Sequence, residues 1–278
     1  MPIPTLRSAL FVPGSRPDRF AKALAAGADA VIVDFEDAVE EGLKRQAREH
    51  LSHFLNHTKT ARVMVRVNAP GHAEHASDLA FCASHPGVVG VVLPKAETRA
   101  HLTTASQAGK PLWPIIESAR GLLALETIAN GPGVERLCFG SLDLALDLGL
   151  HLGLHSGTPA AEAFLDQGRM SVQLHSRAAN LLPPLDGVFA ALDDAPGLQR
   201  AIEHARNLGY GGALCIHPRQ VAVIHAALAP SVQDLEWARA VLAASAAAGG
   251  AGAFQLDGQM VDAPVLQRAR RLLDTLQR

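Results

Sequence analysis

Apolar residues gather along the chain in eight short runs, at residues 8–12, 30–35, 62–67, 88–93, 112–116, 136–139, 185–189 and 212–216. Ala30-Val31-Ile32-Val33 and Val88-Val89-Gly90-Val91-Val92-Leu93 are unbroken rather than alternating. Continuous hydrophobicity over the length of a strand marks strands covered on both faces, as in a parallel sheet. Between the runs lie longer, helix-length stretches. Residues 16–26 follow a Pro-Gly turn and stop at Gly27, a C-cap signal. Residues 39–55 are charged on one face and apolar on the other, while 159–180 and 196–208 each open on a proline, where a missing N–H costs nothing. Eight strands alternating with helices predict an α/β fold, a (β/α)8 TIM barrel. The rival, an open doubly wound sheet, usually carries fewer strands, and no GxGxxG follows any of the runs.

After the eighth run the pattern changes. A helix is expected over 231–248, then a Gly/Ala-rich link over 249–253 and a final helix over 264–277. None of this is needed to close a barrel. The chain therefore divides into a barrel over residues 1–230 and a C-terminal helical extension over 231–278, and the flexible link points to packing on a neighbouring subunit.

Composition agrees with a large soluble core. The chain has 278 residues, long for an ordinary domain but ordinary for one α/β barrel; 48% are hydrophobic and 19% charged. Only 4% are aromatic, so Ala, Leu and Val must supply most of the packing. A net charge of −2, with Lys and Arg spread evenly, argues against nucleic acid as a partner. No stretch of about 18 apolar residues occurs and the N-terminus lacks a signal-peptide core, so no membrane partner is expected and the cytoplasm is the expected location. Cys82, Cys138 and Cys215 form no CxxC pair, and they read as small buried hydrophobes in a reducing compartment.

In α/β barrels the chemistry gathers at the C-terminal ends of the strands. Here the second run leads into Asp34, Glu36 and Asp37, the third into Arg66 and Asn68, and the fourth into Pro94-Lys95. The fifth leads into Glu117-Ser118, the sixth into Gly140-Ser141-Leu142-Asp143 and the eighth into His217-Pro218. Glu117 and Asp143 could each be a helix cap. Neighbouring strand ends are about 5 Å apart, however, so together the two carboxylates can share one cation. Hard oxygen donors without Cys or paired His favour Mg2+ or Mn2+ over zinc, and two protein ligands leave positions open for substrate. Arg66, inside an apolar run, needs an anion: either Asp34 or Glu36, or a substrate carboxylate or developing enolate oxygen. The backbone N–H groups of Gly140, Ser141 and Leu142 offer a further anion contact. Asp143 and Asp147 are four residues apart, so only one should face the mouth. His217 is either a strand-end core residue or a ligand contact.

The same residues carry a family likeness. Arg7-Ser8-Ala9-Leu10-Phe11-Val12-Pro13-Gly14-Ser15-Arg16, Val33-Asp34-Phe35-Glu36-Asp37-Ala38-Val39 and Val65-Arg66-Val67-Asn68 resemble the citrate lyase β-subunit family. So do Pro94-Lys95, Ile116-Glu117-Ser118, Gly140-Ser141-Leu142-Asp143, Cys215-Ile216-His217-Pro218-Arg219-Gln220 and Gly258-Gln259-Met260-Val261-Asp262-Ala263-Pro264, in order along nearly the whole chain. The resemblance implies a Mg2+-dependent carbon–carbon lyase of the malyl-CoA and citramalyl-CoA lyase group, a barrel that is trimeric or larger, with a CoA thioester as substrate. It implies metal on Glu117 and Asp143, with Glu36 and Asp37 orienting the metal's waters, and Arg66 on the carboxylate and keto oxygen of a 2-oxo acid. Asp262, by itself a routine helix cap, would enter from an adjacent subunit and handle the proton of the thioester enolate. Two positions depart from the pattern: relatives commonly have an acid at Leu142 and a Lys at Ala213, and the second puts the thioester-carrier contacts in question. A CoA-independent class II 2-oxo-acid aldolase, and a β-subunit-like partner of a multi-subunit citrate lyase, are the alternative functions.

Overall fold

Every apolar run becomes a strand in the computed structural model, which describes residues 6–150, 158–248 and 252–274. The strands are β1 (Ser8–Pro13), β2 (Ala30–Asp34), β3 (Val63–Arg66), β4 (Val88–Leu93), β5 (Leu112–Ile116), β6 (Cys138–Phe139), β7 (Leu185–Asp186) and β8 (Gly212–Cys215). Each pairs in parallel with the next, and β8 returns to β1 through Ser8↔Ala213, Ala9↔Leu214 and Leu10↔Cys215, which closes an eight-stranded barrel. β6 and β7 keep only two residues each in the ladder, fewer than their apolar runs suggested.

Successive side chains on a strand point to opposite faces. One set fills the barrel: Ala9, Ile32, Met64, Val92, Trp113, Ile115, Cys138, Leu185 and Leu214. The other set, including Leu10, Val33, Val65, Val91 and Ile116, packs outward against helix residues such as Leu51, Leu102, Ile128, Val172 and Ile224. Burying each such large side chain contributes about 1.5–3 kcal/mol, so both layers stabilise the closed form. Carrying the inward set one step further along the chain reaches Asp34, Arg66, Glu117 and Gly140. The mouth residues are thus the continuation of the interior stripe.

The surrounding helices include Lys44–His57, His75–Ser84, Arg99–Ser106, Pro159–Ala178, Ala195–Asn207 and Pro218–Leu228. Two differ from expectation. Residues 16–26 hold only a 3-10 turn, Pro17–Arg19, and a short helix, Phe20–Leu24, before Gly27 at φ +78°. The stretch 39–55 starts its α-helix late, at Lys44, after a 3-10 turn at Glu41–Leu43. All three cysteines are buried and unpaired. Among the described residues no helix is long and apolar enough to cross a membrane.

Residues from Ala229 onward form a compact unit of their own, separate from Leu6–Leu228. A capping box of Ser231 and Asp234 starts the helix Val232–Ala247. A hairpin of β9 (Phe254–Leu256) and β10 (Gln259–Val261) follows, then the helix Ala263–Asp274, around a small core of Ala238, Val241, Val261 and Ala269. The hairpin was not anticipated. Its signal was present in the Asp257-Gly258 turn, where both residues take positive φ, +48° and +78°, as a two-residue primed turn requires. Residues 249–251 and 275–277 of the expected link and last helix lie outside the described residues.

Candidate active site

At the end of β2 the Asp34 carboxylate turns back into the loop that follows, accepting the N–H of Glu36 at 2.9 Å and that of Ala38 at 3.0 Å. The same carboxylate takes both Nε (2.7 Å) and Nη2 (2.6 Å) of Arg66, which ends β3 beside it. Arg66 Nη1 lies 3.0 Å from Glu36 and 3.7 Å from Asp37, and the guanidinium plane rests 4.9 Å from the centre of the Phe11 ring. Burial works against the arginine's charge, but Asp34 first, then Glu36 and Asp37, hold it firmly protonated. The ion-pair alternative for Arg66 is therefore realised, with Asp34 as the bidentate partner. Burial pushes the Glu36 carboxyl up to about 8; Arg66 opposes the shift, and Asp37, Glu117 and Asp34 add to it.

The second half of the site is built on β4, β5 and β6. Glu117 is buried, and its Oε1 accepts the Lys95 N–H at 2.7 Å. Gly140 makes room for it: a Cβ there would come 2.5 Å from the Glu117 Cβ and 2.7 Å from its Oε2. Asp143 lies in the first turn of the helix Ser141–Asp147, partly exposed, with the Lys95 ammonium 3.5 Å from Oδ1. Lys95 thus serves both carboxylates, one through its backbone and one through its side chain, and its backbone adopts φ +47° to do so. Burial pushes Glu117 up to about 7, Lys95 opposing and Asp143 adding to the shift. The Lys95 ammonium is held protonated against its own burial by Glu117 and Asp143.

Other mouth residues have structural duties. Asp147 turns away to accept the Ala119 N–H at 2.7 Å, so of the two aspartates Asp143 is the one beside Lys95. Ser118 caps the helix Ala119–Leu123 through the Gly121 N–H and donates to Glu97 at 2.8 Å. The Gly140 N–H is spent on the Ile116 carbonyl (2.9 Å), which removes it from the expected anion contact; Ser141 is buried and Leu142 is 43% exposed. His217 accepts the Arg219 N–H on Nδ1 and so shapes the start of the helix Pro218–Leu228. Ala213 is fully buried in the outward-facing layer, in register with Ser8 and Asp186, so this side chain points away from the barrel interior; the Asp186 charge is met by Arg169 at 3.1 Å. Asp262, in the C-terminal unit, accepts the Val265 N–H at 3.3 Å, the cap that its position before Pro264 suggested. Asp34 and Lys95, which organise the two halves, were read from the chain as polar strand ends within family-like segments, and Asp34 as one of two candidate partners of Arg66; the part of Lys95 in joining two carboxylates was not.

Among the described residues no three His, Cys, Asp or Glu side chains converge into a ready-made cage for a metal. A cation at the mouth would rest on the Glu117–Asp143 pair, with its remaining coordination left to water and substrate. The pair fits one: two hard oxygen donors already draw a positive charge, the Lys95 ammonium, to themselves.

Comparison with known proteins places nearly the whole chain beside one group of relatives. Residues 7–218 match the model of the HpcH/HpaI aldolase/citrate lyase family. A citrate lyase subunit beta-like protein of Mycobacterium tuberculosis is 38% identical over 271 residues, 95% of this chain and 93% of that one. A protein of the same description from Deinococcus radiodurans is 36% identical, covering 96% of each chain. The crystal structure of CitE from M. tuberculosis in complex with magnesium, acetoacetate and coenzyme A superposes with a TM-score of 0.83 at 36% identity, over 98% of both chains.

Proposed function

The chain belongs to the HpcH/HpaI aldolase/citrate lyase family, and we propose that it is a Mg2+-dependent carbon–carbon lyase acting on a small 3-hydroxy-dicarboxylic acyl-CoA. It would release a 2-oxo acid and acetyl-CoA, or join them in reverse. The observation that carries this reading is the pair Glu117 and Asp143 sharing one positive charge in a mouth that also holds Arg66. Magnesium and coenzyme A bound to the similar CitE structure support it.

Glu117 and Asp143 would hold the ion; Mn2+ suits the same donors. When bound, it supplies Lewis acidity to the oxygen on which charge develops. Arg66, aimed by Asp34, pairs with the substrate carboxylate and the oxygen that becomes the keto group. Glu36 and Asp37 orient water beside it, and Ser141 and Leu142 border the acyl group. Transfer of the hydroxyl proton to the water that Glu36 and Asp37 orient turns that C–O bond into C=O, the bond between C2 and C3 breaks, and its electron pair passes to the thioester as an enolate. Asp262 returns a proton to the enolate carbon, giving acetyl-CoA. In this reading Asp262 comes from the C-terminal extension of a neighbouring subunit in a cytoplasmic homotrimer.

The test incubates the purified protein with Mg2+ and malyl-, citramalyl- or 3-hydroxy-3-methylglutaryl-CoA, beside a Glu117→Ala/Asp143→Ala variant. Release of acetyl-CoA with a 2-oxo acid (acetoacetate from the last), abolished by EDTA and in the variant, is the expected result. Mg2+ binding without thioester cleavage would turn the assignment to a CoA-independent aldolase or to a subunit that needs a partner. No Mg2+ binding would overturn it.

A further inference from the structure

The loop after β2, residues 35–39, is strung between two buried charges of opposite sign. Its N–H side is gathered by the Asp34 carboxylate, through Glu36 and Ala38. Its carbonyl side is gathered by Lys44, only 6% exposed, in the first turn of the helix Lys44–His57. The ammonium donates to the carbonyls of Phe35 at 3.1 Å, Glu36 at 3.1 Å and Val39 at 3.4 Å. An ammonium has three donors, and here all three go to main-chain oxygens of one short loop. A lysine taken out of water in this way is costly unless each donor is met, and here the loop brings three carbonyls to it. The loop also carries Glu36 and Asp37, the groups that face the Nη1 side of Arg66.

We propose that Lys44 is a positioning residue for the reaction: it sets the loop that places Glu36 against Arg66. This rests on the lyase reading above for its kinetic consequence, though not for its structural one. Asp34 holds Nε and Nη2 of Arg66 independently of Lys44, so the grip on the substrate carboxylate should survive its loss. What is lost is the aim of Nη1 and of the Glu36 carboxyl group, groups whose displacement by about an ångström costs roughly tenfold to a hundredfold in rate.

The test compares wild type with Lys44→Met, Lys44→Arg, Glu36→Gln and the Lys44→Met/Glu36→Gln double variant. Backbone hydrogen exchange should quicken in Lys44→Met at residues 35–39, with the β-ladder amides unchanged. On whichever thioester the wild type cleaves, kcat should fall roughly tenfold or more while KM and Mg2+ affinity stay within about threefold. Lys44→Arg should recover part of the loss. Because Lys44 acts through Glu36, adding Lys44→Met to Glu36→Gln should cost little more. Unchanged exchange over 35–39, or effects of the two substitutions that simply multiply, would overturn the proposal. If Lys44→Met does not fold, Lys44→Arg carries the same comparison. If the wild type cleaves no thioester, the lyase reading fails, and the exchange data alone still decide whether Lys44 sets the loop.

Discussion

The residues at the mouth do their work in pairs that straddle strands. Arg66 is held by Asp34 from the neighbouring strand, and Glu117 by the backbone of Lys95. That coupling has a consequence for pH. Burial raises Glu117 to about 7, so without a cation its protonated form favours the fold at low pH, and this contribution is lost as pH rises through about 7. A cation must replace that proton. Mg2+ affinity should therefore rise with pH up to about 7, by at most about tenfold per unit for one proton, and level off above it. Calorimetric titration in buffers of different ionisation enthalpy measures the proton released; affinity that is flat from acid to neutral pH would contradict the pairing. The type of each rim residue was legible from the chain, since charge or imidazole at six strand ends stood out against apolar runs. Which partner each would take was not, because Asp34 and Arg66 are 32 residues apart and meet only when β2 and β3 pair.

At the level of elements, the eight runs were readable because a strand covered on both faces leaves an unbroken apolar signature. The ends of elements were less so. The helix expected from residue 39 starts as a 3-10 turn at Glu41 and becomes α-helical at Lys44, since Asp34 and Lys44 hold residues 36–39 in the loop after β2. The hairpin of β9 and β10 escaped notice although Asp257-Gly258 announced it. Between β6 and the helix Ser141–Asp147, Gly140 is an element boundary chosen by its neighbour's side chain. Gly140→Ala should displace Glu117, weakening Mg2+ binding at least tenfold while the barrel's circular dichroism stays native; a fully active alanine variant would show that the close approach is unimportant.

On the scale of the whole molecule, the barrel supplies Glu117, Asp143 and Arg66, while Asp262 belongs to a second compact unit. If neighbouring subunits complete each other's sites, two inactive proteins should rescue one another. Asp262→Asn, mixed and re-associated with the Glu117→Ala/Asp143→Ala variant, should regain part of the wild-type turnover, and light scattering should report a trimer. Absence of rescue in mixed trimers would mean that each chain uses its own Asp262. By itself the sequence determined the number and order of strands, the closed-barrel class and the rim on which the charged residues gather, because all three follow from local periodicity and from strand ends sharing one direction. Only the tertiary structure decided that Asp34 grips Arg66, that Lys95 joins Glu117 to Asp143, that Ala213 points away from the barrel interior and that Lys44 binds a loop. Those are contacts made across strands and turns by side chains whose directions no single segment contains.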